Sequence, residues 1–259
     1  SVALLSKSDV ITIGGKEVNT YKVTQNVNPD LKWEKKYEYN LGVDYGFLNN
    51  RLTGSLEGYV RNTKDLLWWY DVPTPPYQYD KLLANAGEML SYGVELAVTG
   101  VAVQKKNVTW TSSLTLAWNE NIITKLSDPS KGFNYTSSPQ GNLYGNKFNG
   151  SDSYTQILME GGKVGQFYGY KFLGFNSKGE WVYEDQYGGP TAKPTAADKK
   201  YLGSAQPAVT YGWNNTVRYK NLDVTVFLRG VAGNKILNAT RFMYTPDGTD
   251  KTTDYNFFV

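Results

Sequence analysis

The sequence predicts an all-β protein built from antiparallel strand pairs. Six segments alternate between apolar and polar residues at every second position, which is the period of a β-strand. Short turns join these segments into pairs, whereas long stretches separate one pair from the next. Aromatic residues gather near the strand ends. Together these observations favour a transmembrane β-barrel with long extracellular loops over a soluble β-sandwich.

The first predicted hairpin covers residues 37–60. Its first strand carries apolar side chains at every odd position: Tyr37, Tyr39, Leu41, Val43, Tyr45 and Phe47. Asn49 and Asn50 follow as a tight-turn signal, because asparagine tolerates the left-handed backbone that such turns need. The second strand continues with small or apolar residues at every even position: Leu52, Gly54, Leu56, Gly58 and Val60. One face of the hairpin is therefore apolar and the other polar.

Two further hairpins repeat this pattern. The second joins strands at 94–98 and 108–118 through a turn at 104–107. The third joins 209–219 to 222–228 through Lys220 and Asn221. The one helix signal lies at 195–202, where two residues have the spacing of a capping box.

Aromatic residues near both ends of an aliphatic strand face are typical of the interfacial rows of a membrane barrel. An amphipathic ring is favoured at the level of the lipid headgroups. The candidates for these rows are Tyr37, Tyr39, Trp68, Trp110, Trp118, Tyr211, Trp213 and Tyr219. The alternative is a sandwich core with aromatic edges. The charged residues of the opposite face fit both architectures, since bulk water and a wet lumen would each solvate them.

The composition excludes much enzyme chemistry. The 259 residues include no cysteine and no histidine, which removes thiolate nucleophiles, imidazole bases and the metal sites built on either. Glu57, Glu95, Glu184 and Asp185 supply the carboxylates that a glycosidase would need as a pair. Carboxylates are common, however, and we predict a protein that is not an enzyme, with no catalytic residue and no cofactor. The net charge of +3, with acids and bases interspersed, gives no basis for nucleic-acid binding.

An ordered series of motifs resembles a known family. The series begins with Asn-Pro-Asp-Leu-Lys-Trp-Glu at 28–34, Tyr-Gly-Phe-Leu-Asn-Asn-Arg-Leu at 45–52 and Ala-Gly-Glu-Met-Leu-Ser-Tyr-Gly-Val-Glu-Leu at 86–96. It continues with further motifs at 61–67, 118–126, 164–170, 203–207, 219–223 and 230–238. In order and spacing, these motifs resemble the SusC/RagA-like TonB-dependent outer-membrane transporters.

The resemblance implies a barrel of about 22 strands when complete. This chain is then an internal or C-terminal fragment of the barrel, without the plug domain. The expected segments are an extracellular loop at 1–33, two barrel hairpins (four strands) at 34–125, a large extracellular loop with a small hairpin at 126–206, a barrel hairpin at 207–232 and the start of the next extracellular loop at 233–259. The small hairpin is expected at 167–175.

The resemblance also implies energy-coupled import of a nutrient across the outer membrane of a Gram-negative bacterium of the Bacteroidetes type. An oligosaccharide is the first expectation for the nutrient, and an oligopeptide is the alternative. The implied partners are a SusD-like surface lipoprotein that acts as a lid, the TonB complex acting through the absent N-terminal part, and outer-membrane lipid. A secreted all-β carbohydrate-binding module is the alternative from another class.

Ligand contact is predicted for aromatic residues of the long loops, because flat rings combine stacking area with a polar handle. The candidates are Trp69, Tyr70, Tyr77, Tyr79, Tyr144, Tyr154, Trp181 and Tyr183. The alternative for each ring is packing within the loop. The acidic stretch at 184–198 departs from the spacing of a calcium-binding loop, so no metal site is predicted.

Overall fold

The computed structural model describes residues 5–129, 132, 135–142 and 154–240, and these residues are mostly β-strand. The strands are β1 (Leu5–Ile13), β2 (Lys16–Val23), β3 (Lys35–Phe47), β4 (Leu52–Asp71), β5 (Lys81–Lys105), β6 (Val108–Lys125), β7 (Ser137–Asn142), β8 (Tyr154–Met159), β9 (Gln166–Gly169), β10 (Phe172–Phe175), β11 (Trp181–Glu184), β12 (Pro190–Thr191), β13 (Lys200–Ser204), β14 (Val209–Tyr219) and β15 (Leu222–Ala232). The all-β fold class is confirmed. No helix in the described part of the chain is long and apolar enough to cross a membrane.

Six strands form one antiparallel sheet in the order β15-β14-β6-β5-β4-β3. These are the six strands of the three predicted hairpins. At the first turn, Leu48, Asn49 and Asn50 have φ angles of 56°, 55° and 63°, the left-handed region that the two asparagines indicated. The sheet remains open, with β3 and β15 at its edges.

Strands β4 and β5 extend well beyond their neighbours. β4 has 20 residues and β5 has 25, so only the turn at 72–80 separates them where the sequence pattern indicated a connection over 71–85. A bulge is the physical reason for this difference. Asp65 has a φ of 59° and the register shifts between Thr63 and Leu67, which breaks the period-two alternation on which the prediction depended.

The 126–206 segment contains two small sheets where the sequence predicted one small hairpin. β13, β9, β8 and β7 form a four-stranded sheet, and β10, β11 and β12 form a three-stranded sheet. The expected hairpin at 167–175 is wrong in its pairing, because β9 and β10 belong to different sheets. Strands of four to six residues contain too few alternation periods to show their partners.

Two other connecting segments are more structured than the pattern indicated. The 1–33 segment, expected to be a loop, contains the β1–β2 hairpin. The helix signal at 195–202 produces a single 3₁₀ turn, Ala196–Asp198, with the predicted capping box between Thr195 and Asp198. The chain then enters β13 directly, so no longer helix forms.

The buried core is small and lies away from the middle of the large sheet. Tyr70, Leu82, Ala84 and Ala86 form it where β4 and β5 run beyond their neighbours. Most large apolar residues of the six-stranded sheet are exposed instead. The six-stranded sheet therefore has a hydrophobic face that is directed outwards.

Candidate functional site

One face of the six-stranded sheet is a continuous apolar surface. Strand register aligns apolar residues in cross-strand rows, of which Leu41, Gly58, Val94, Trp118 and Val209 make one. Exposed members of this apolar face are Tyr39, Leu41, Val43, Phe47, Leu56, Val94, Trp118, Tyr211, Trp213, Val224, Val226 and Leu228. An apolar surface of this extent is a liability in water and an advantage in lipid.

Aromatic residues bound the apolar face at two levels. On β6, Trp110 and Trp118 are eight residues apart, which corresponds to about 27 Å along the strand. Tyr211 and Tyr219 have the same separation on β14. At the usual barrel tilt of about 40°, the height between the two levels is about 21 Å, close to the ~25 Å apolar band of outer-membrane barrels.

Two predicted girdle residues lie away from these levels. Tyr37 pairs with Asn62 on β4. Trp68 comes six residues after Asn62 on the same strand, so it lies about 20 Å beyond the level of Tyr37. Its row partner is Ala84, a member of the buried core. Trp213 lies two residues inside Tyr211, towards the middle of the apolar face. Tyr37 and Tyr39 lie on the apolar face near the start of β3.

Two tryptophans of the apolar face satisfy polar side chains of the same face. Trp213 Nε1 donates a hydrogen bond to Ser112 Oγ at 2.9 Å, and Trp110 Nε1 donates to Asn215 Oδ1 at 3.2 Å. Each contact crosses between β6 and β14. Because lipid offers no hydrogen-bond partner, these contacts lower the cost of placing Ser112 and Asn215 on an apolar surface.

The opposite face is polar and contains charged cross-strand pairs. Arg61 Nε lies 2.9 Å from Glu38 Oε2, and Arg218 Nε lies 2.8 Å from Asp223 Oδ1. Glu57 and Glu95 are direct cross-strand neighbours on this face and line a groove of about 360 Å³. In the described ranges, no group of three or more acidic side chains is arranged to hold a metal ion.

The structure places three of the predicted ligand-contact residues in packing or structural roles. Tyr70 is only 1% exposed, and its hydroxyl donates to the Leu126 carbonyl at 3.1 Å. No ring face of Tyr70 is therefore open to a ligand, which corrects that assignment. Tyr77 packs against the same core, and the Tyr79 hydroxyl donates to the Val23 carbonyl.

Three predicted ligand-contact residues are exposed. Trp69 is 45% exposed on β4, Trp181 is 57% exposed on β11, and Tyr154 at the start of β8 is also exposed. Trp69 and Trp181 lie on different sheets, Trp69 on the six-stranded sheet and Trp181 on the three-stranded sheet. Tyr144, another predicted contact, lies outside the described residues.

Trp181 belongs to an aromatic cluster on the three-stranded sheet. Its ring centroid lies 4.9 Å from that of Phe172 and 5.2 Å from that of Phe175, and Phe172 also contacts Tyr183 at 6.1 Å. Phe172 and Phe175 are not among the residues predicted to contact ligand. The five aromatic residues at 167, 168, 170, 172 and 175 are the sequence signal that could have identified them.

Ion pairs hold this small sheet against its neighbour. The Glu184 carboxylate forms two ion pairs. Lys171 Nζ lies 2.5 Å from its Oε2, and Lys200 Nζ lies 2.7 Å from its Oε1. These two ammonium groups lower the pKa of Glu184 below its usual value. Because Lys200 starts β13, the contact joins the three-stranded sheet to the four-stranded sheet. These ion pairs fix the position of the three-stranded sheet that carries the aromatic cluster.

The four-stranded sheet is in turn joined to the end of β6. Glu160 Oε1 accepts the backbone N–H of Leu126 at 2.7 Å and of Ser127 at 3.2 Å, which lowers the pKa of Glu160. Lys163 Nζ donates to Glu120 Oε1 at 2.6 Å. The small sheets therefore fold back over one end of the large sheet.

Buried amides attach the segment before β3 to the β4–β5 turn. Asn26 Oδ1 accepts from the backbone N–H groups of Gln78 and Tyr79, each at 3.1 Å. Asn26 Nδ2 donates to the Tyr79 carbonyl at 2.6 Å and to the Lys81 carbonyl at 2.9 Å. The amide thus uses its full hydrogen-bonding capacity, which explains why a polar side chain lies there only 8% exposed.

An antiparallel sheet that is apolar on one face, polar on the other and bounded by aromatic residues has the properties of the wall of a membrane β-barrel. Comparison with known proteins gives the family. The sequence profile of the family described as "TonB dependent receptor-like, beta-barrel" matches residues 8–257. The chain belongs to this family, and the SusC/RagA-type resemblance is confirmed.

Relatives and solved structures agree with this assignment. TonB-dependent receptor P3 of Formosa agariphila is 29% identical over 93% of this chain and 25% of its own length. TonB-dependent receptor SusC of Bacteroides thetaiotaomicron is 30% identical over 81% of this chain and 20% of its own length. A structure of the RagAB peptide transporter matches with a TM-score of 0.72 and 25% identity, over 93% of this chain and 25% of that chain. The chain thus spans a quarter or less of these relatives.

Proposed function

We propose that this chain forms part of the barrel wall of an energy-coupled nutrient importer in the outer membrane of a Bacteroidetes-type bacterium. The apolar face, bounded by aromatic rows about 21 Å apart in height, supports this proposal most directly. In this proposal the short turns after β3, β5 and β14 face the periplasm. The small sheets of 126–206 then lie outside the cell, as do 1–33 and 233–259. Residues 34–125 and 207–232 supply the barrel strands.

An oligosaccharide is the substrate class that we propose first. Trp69 and Trp181 are exposed on two different sheets, and exposed indole faces suit the apolar faces of sugar rings. An oligopeptide is the second candidate, because the similar RagAB structure is described as a peptide transporter. A secreted carbohydrate-binding module is disfavoured, because its apolar sheet face would contact water.

Two partners complete the proposal. A SusD-like surface lipoprotein would cover the outer end of the barrel, close to the exposed aromatic cluster of Phe172, Phe175 and Trp181. The TonB complex would supply energy through parts of the protein outside this sequence. Nothing in this arrangement calls for catalysis, a cofactor or nucleic acid.

Uptake measurements with matched tryptophan variants test the substrate assignment. Trp69→Ala and Trp181→Ala, made separately in the full-length protein, should each reduce oligosaccharide uptake, since each removes an indole face on which a sugar ring would stack. Trp33→Ala is the control, because Trp33 is 89% exposed and is not among the predicted contacts. Loss of oligopeptide uptake alone would favour the second candidate. Unchanged uptake of both classes in both variants would contradict ligand stacking on these rings.

A further inference from the structure

An exposed ion pair lies next to Trp69, where β4 and β5 extend beyond their neighbours. Asp71 and Lys81 are direct cross-strand partners, and Lys81 Nζ lies 2.7 Å from Asp71 Oδ1. The register is continuous from Trp69 to Asp71, so strand alternation places both side chains on the same face. Tyr70, between them, points the other way, into the buried core. Two residues span roughly 7 Å along a strand, so one molecule lying on the Trp69 ring can also reach the ion pair.

The ion pair and the indole keep hydrogen-bonding groups that the described part of the chain does not use. The Asp71 carboxylate is bonded there through Oδ1 alone, which leaves Oδ2 as an acceptor. An ammonium group has three N–H donors, and Lys81 directs one of them at Asp71. Trp69 Nε1 has no acceptor among the described residues. A flat ring, donors and an acceptor therefore lie side by side and face the solvent.

Side chains from other segments fix the backbone on which this ion pair stands. The Tyr135 hydroxyl accepts the Asp71 backbone N–H and donates to the Asp71 carbonyl, the latter at 3.0 Å. On the other strand, Asn26 Nδ2 donates to the Lys81 carbonyl at 2.9 Å. The side chains of Lys81 and Asp71 are nevertheless 54% and 67% exposed. Polar groups that stand on a fixed backbone bind a ligand with a smaller loss of entropy.

The local charge favours a neutral ligand. The ion pair is neutral overall, and Asp80, the residue before Lys81, adds a negative charge nearby. Adjacent hydroxyl groups of a sugar ring can donate to Asp71 Oδ2 and accept from Lys81 Nζ at the same time, while the apolar face of the ring lies on Trp69. A uronic acid would instead bring its carboxylate close to two acidic side chains, and like charges repel.

We propose that Trp69, Asp71 and Lys81 form a subsite for one neutral sugar unit of the imported oligosaccharide. The indole stacks on the sugar ring, the carboxylate accepts from one hydroxyl and the ammonium group donates to the next. This inference rests on the proposed import of an oligosaccharide. It adds two polar residues to the Trp69 contact and a selection of neutral over anionic glycans.

Isothermal titration calorimetry with the full-length protein in detergent tests the polar contact. The neutral probes are maltohexaose, cellohexaose, xylohexaose and mannohexaose, and the anionic probe is hexagalacturonate. A neutral probe should bind most tightly, and Asp71→Ala should lower its affinity about tenfold, because a hydrogen bond to a charged group is lost. Asp223→Ala is the matched control, since it removes a carboxylate from the exposed Arg218–Asp223 pair at the opposite end of the sheet. The control should leave the affinity unchanged.

A second variant tests the charge selection. Asp71→Asn keeps the size of the side chain and removes its negative charge, so the affinity for hexagalacturonate should rise relative to that for the neutral probe. A purely structural role of Asp71 would lower both affinities together. Equal ratios in the wild type and Asp71→Asn would therefore overturn the proposed selection.

The outcomes separate this subsite from the proposed function. A neutral probe that binds the wild type and Asp71→Ala equally would overturn the subsite and leave oligosaccharide import in place. An equal loss in Asp223→Ala would overturn it as well, because that residue is remote from Trp69. Binding of none of the hexasaccharides by the wild type would contradict the oligosaccharide assignment itself, and the subsite with it.

Discussion

Trp213 Nε1 donates a hydrogen bond to Ser112 Oγ at 2.9 Å across the β6–β14 strand pair, on the apolar face of the sheet. The contact resolves a conflict in the sequence, which places a hydroxyl on a surface directed at lipid. An unsatisfied hydroxyl in lipid costs more than one in water, because no solvent replaces the missing partner. The Trp213 indole therefore stabilises the β6–β14 strand pair, in addition to contributing to the apolar face.

Replacing Trp213 by Phe should destabilise the full-length protein in detergent by about 1–2 kcal/mol, since the Ser112 hydroxyl loses its donor. Thermal unfolding followed by loss of the heat-modifiable folded band on a gel measures the change. Trp118→Phe is the matched control, because among the described residues its indole N–H has no hydrogen-bond acceptor. Equal destabilisation by both variants would indicate lost ring contacts instead of the lost hydrogen bond.

Two glycines of neighbouring strands should respond differently to alanine. A Cβ at Gly93 would lie 2.6 Å from the Trp118 carbonyl oxygen and 2.9 Å from the Tyr59 ring, whereas a Cβ at Gly58 has no neighbour closer than 3.9 Å. Gly93→Ala should therefore lower stability by about 1–3 kcal/mol, and Gly58→Ala should be nearly neutral. The same thermal assay compares the two variants. A neutral Gly93→Ala would show that the strands separate more easily than this packing implies.

Tyr70→Phe should lower the free energy of unfolding by about 1 kcal/mol, because the buried Leu126 carbonyl loses the hydroxyl donor. Proteolysis within 126–129 measures the local effect. Tyr187→Phe, at an 88% exposed ring, is the control and should be neutral. If the wild type and Tyr70→Phe were cleaved at the same rate, this hydrogen bond would not stabilise the 126–129 segment.

Acid should loosen the attachment of the small sheets through Glu160. Its folded pKa lies below the ordinary value of 4.5 because the Leu126 and Ser127 N–H groups donate to it. The stabilisation is therefore present above pH 4.5 and is lost as the pH falls through the folded pKa. Proteolytic cleavage of the 126–206 segment should increase over this range in the wild type, and Glu160→Gln should weaken that dependence. An equal effect of Glu17→Gln, at an exposed residue of β2, would contradict this local explanation.

Asn26→Ala should release the β4–β5 turn. The variant leaves the N–H groups of Gln78 and Tyr79 without their acceptor, and we expect a local loss of about 3 kcal/mol. Hydrogen exchange of residues 76–81 in the full-length protein measures it. Asn19→Ala, on the exposed surface of β2, is the matched control. Unchanged exchange in Asn26→Ala would show that the turn holds its shape without the amide.

Local periodicity was enough to predict that the six strands exist, their three hairpins and the two faces of the sheet, but not the extensions of β4 and β5 beyond their neighbours. Each strand repeats its alternation over five or more positions, as Tyr37 to Phe47 do on β3, and the Asn49–Asn50 turn follows from the backbone preference of asparagine. The family resemblance also depended on local motifs in order. These properties are encoded within a strand or a turn and do not require knowledge of distant contacts.

Only the tertiary structure decided the roles of individual side chains. Trp69 and Tyr70 are adjacent in sequence, yet one is exposed and the other buried, because the register after the Asp65 bulge directs Tyr70 towards Leu82. A depression of about 440 Å³ on the apolar face of the six-stranded sheet likewise depends on residues from four strands, β3 to β6. The sequence by itself determined which face of each strand is apolar. Long-range pairing decided which of its aromatic rings are covered, because burial depends on the neighbouring strand and its register.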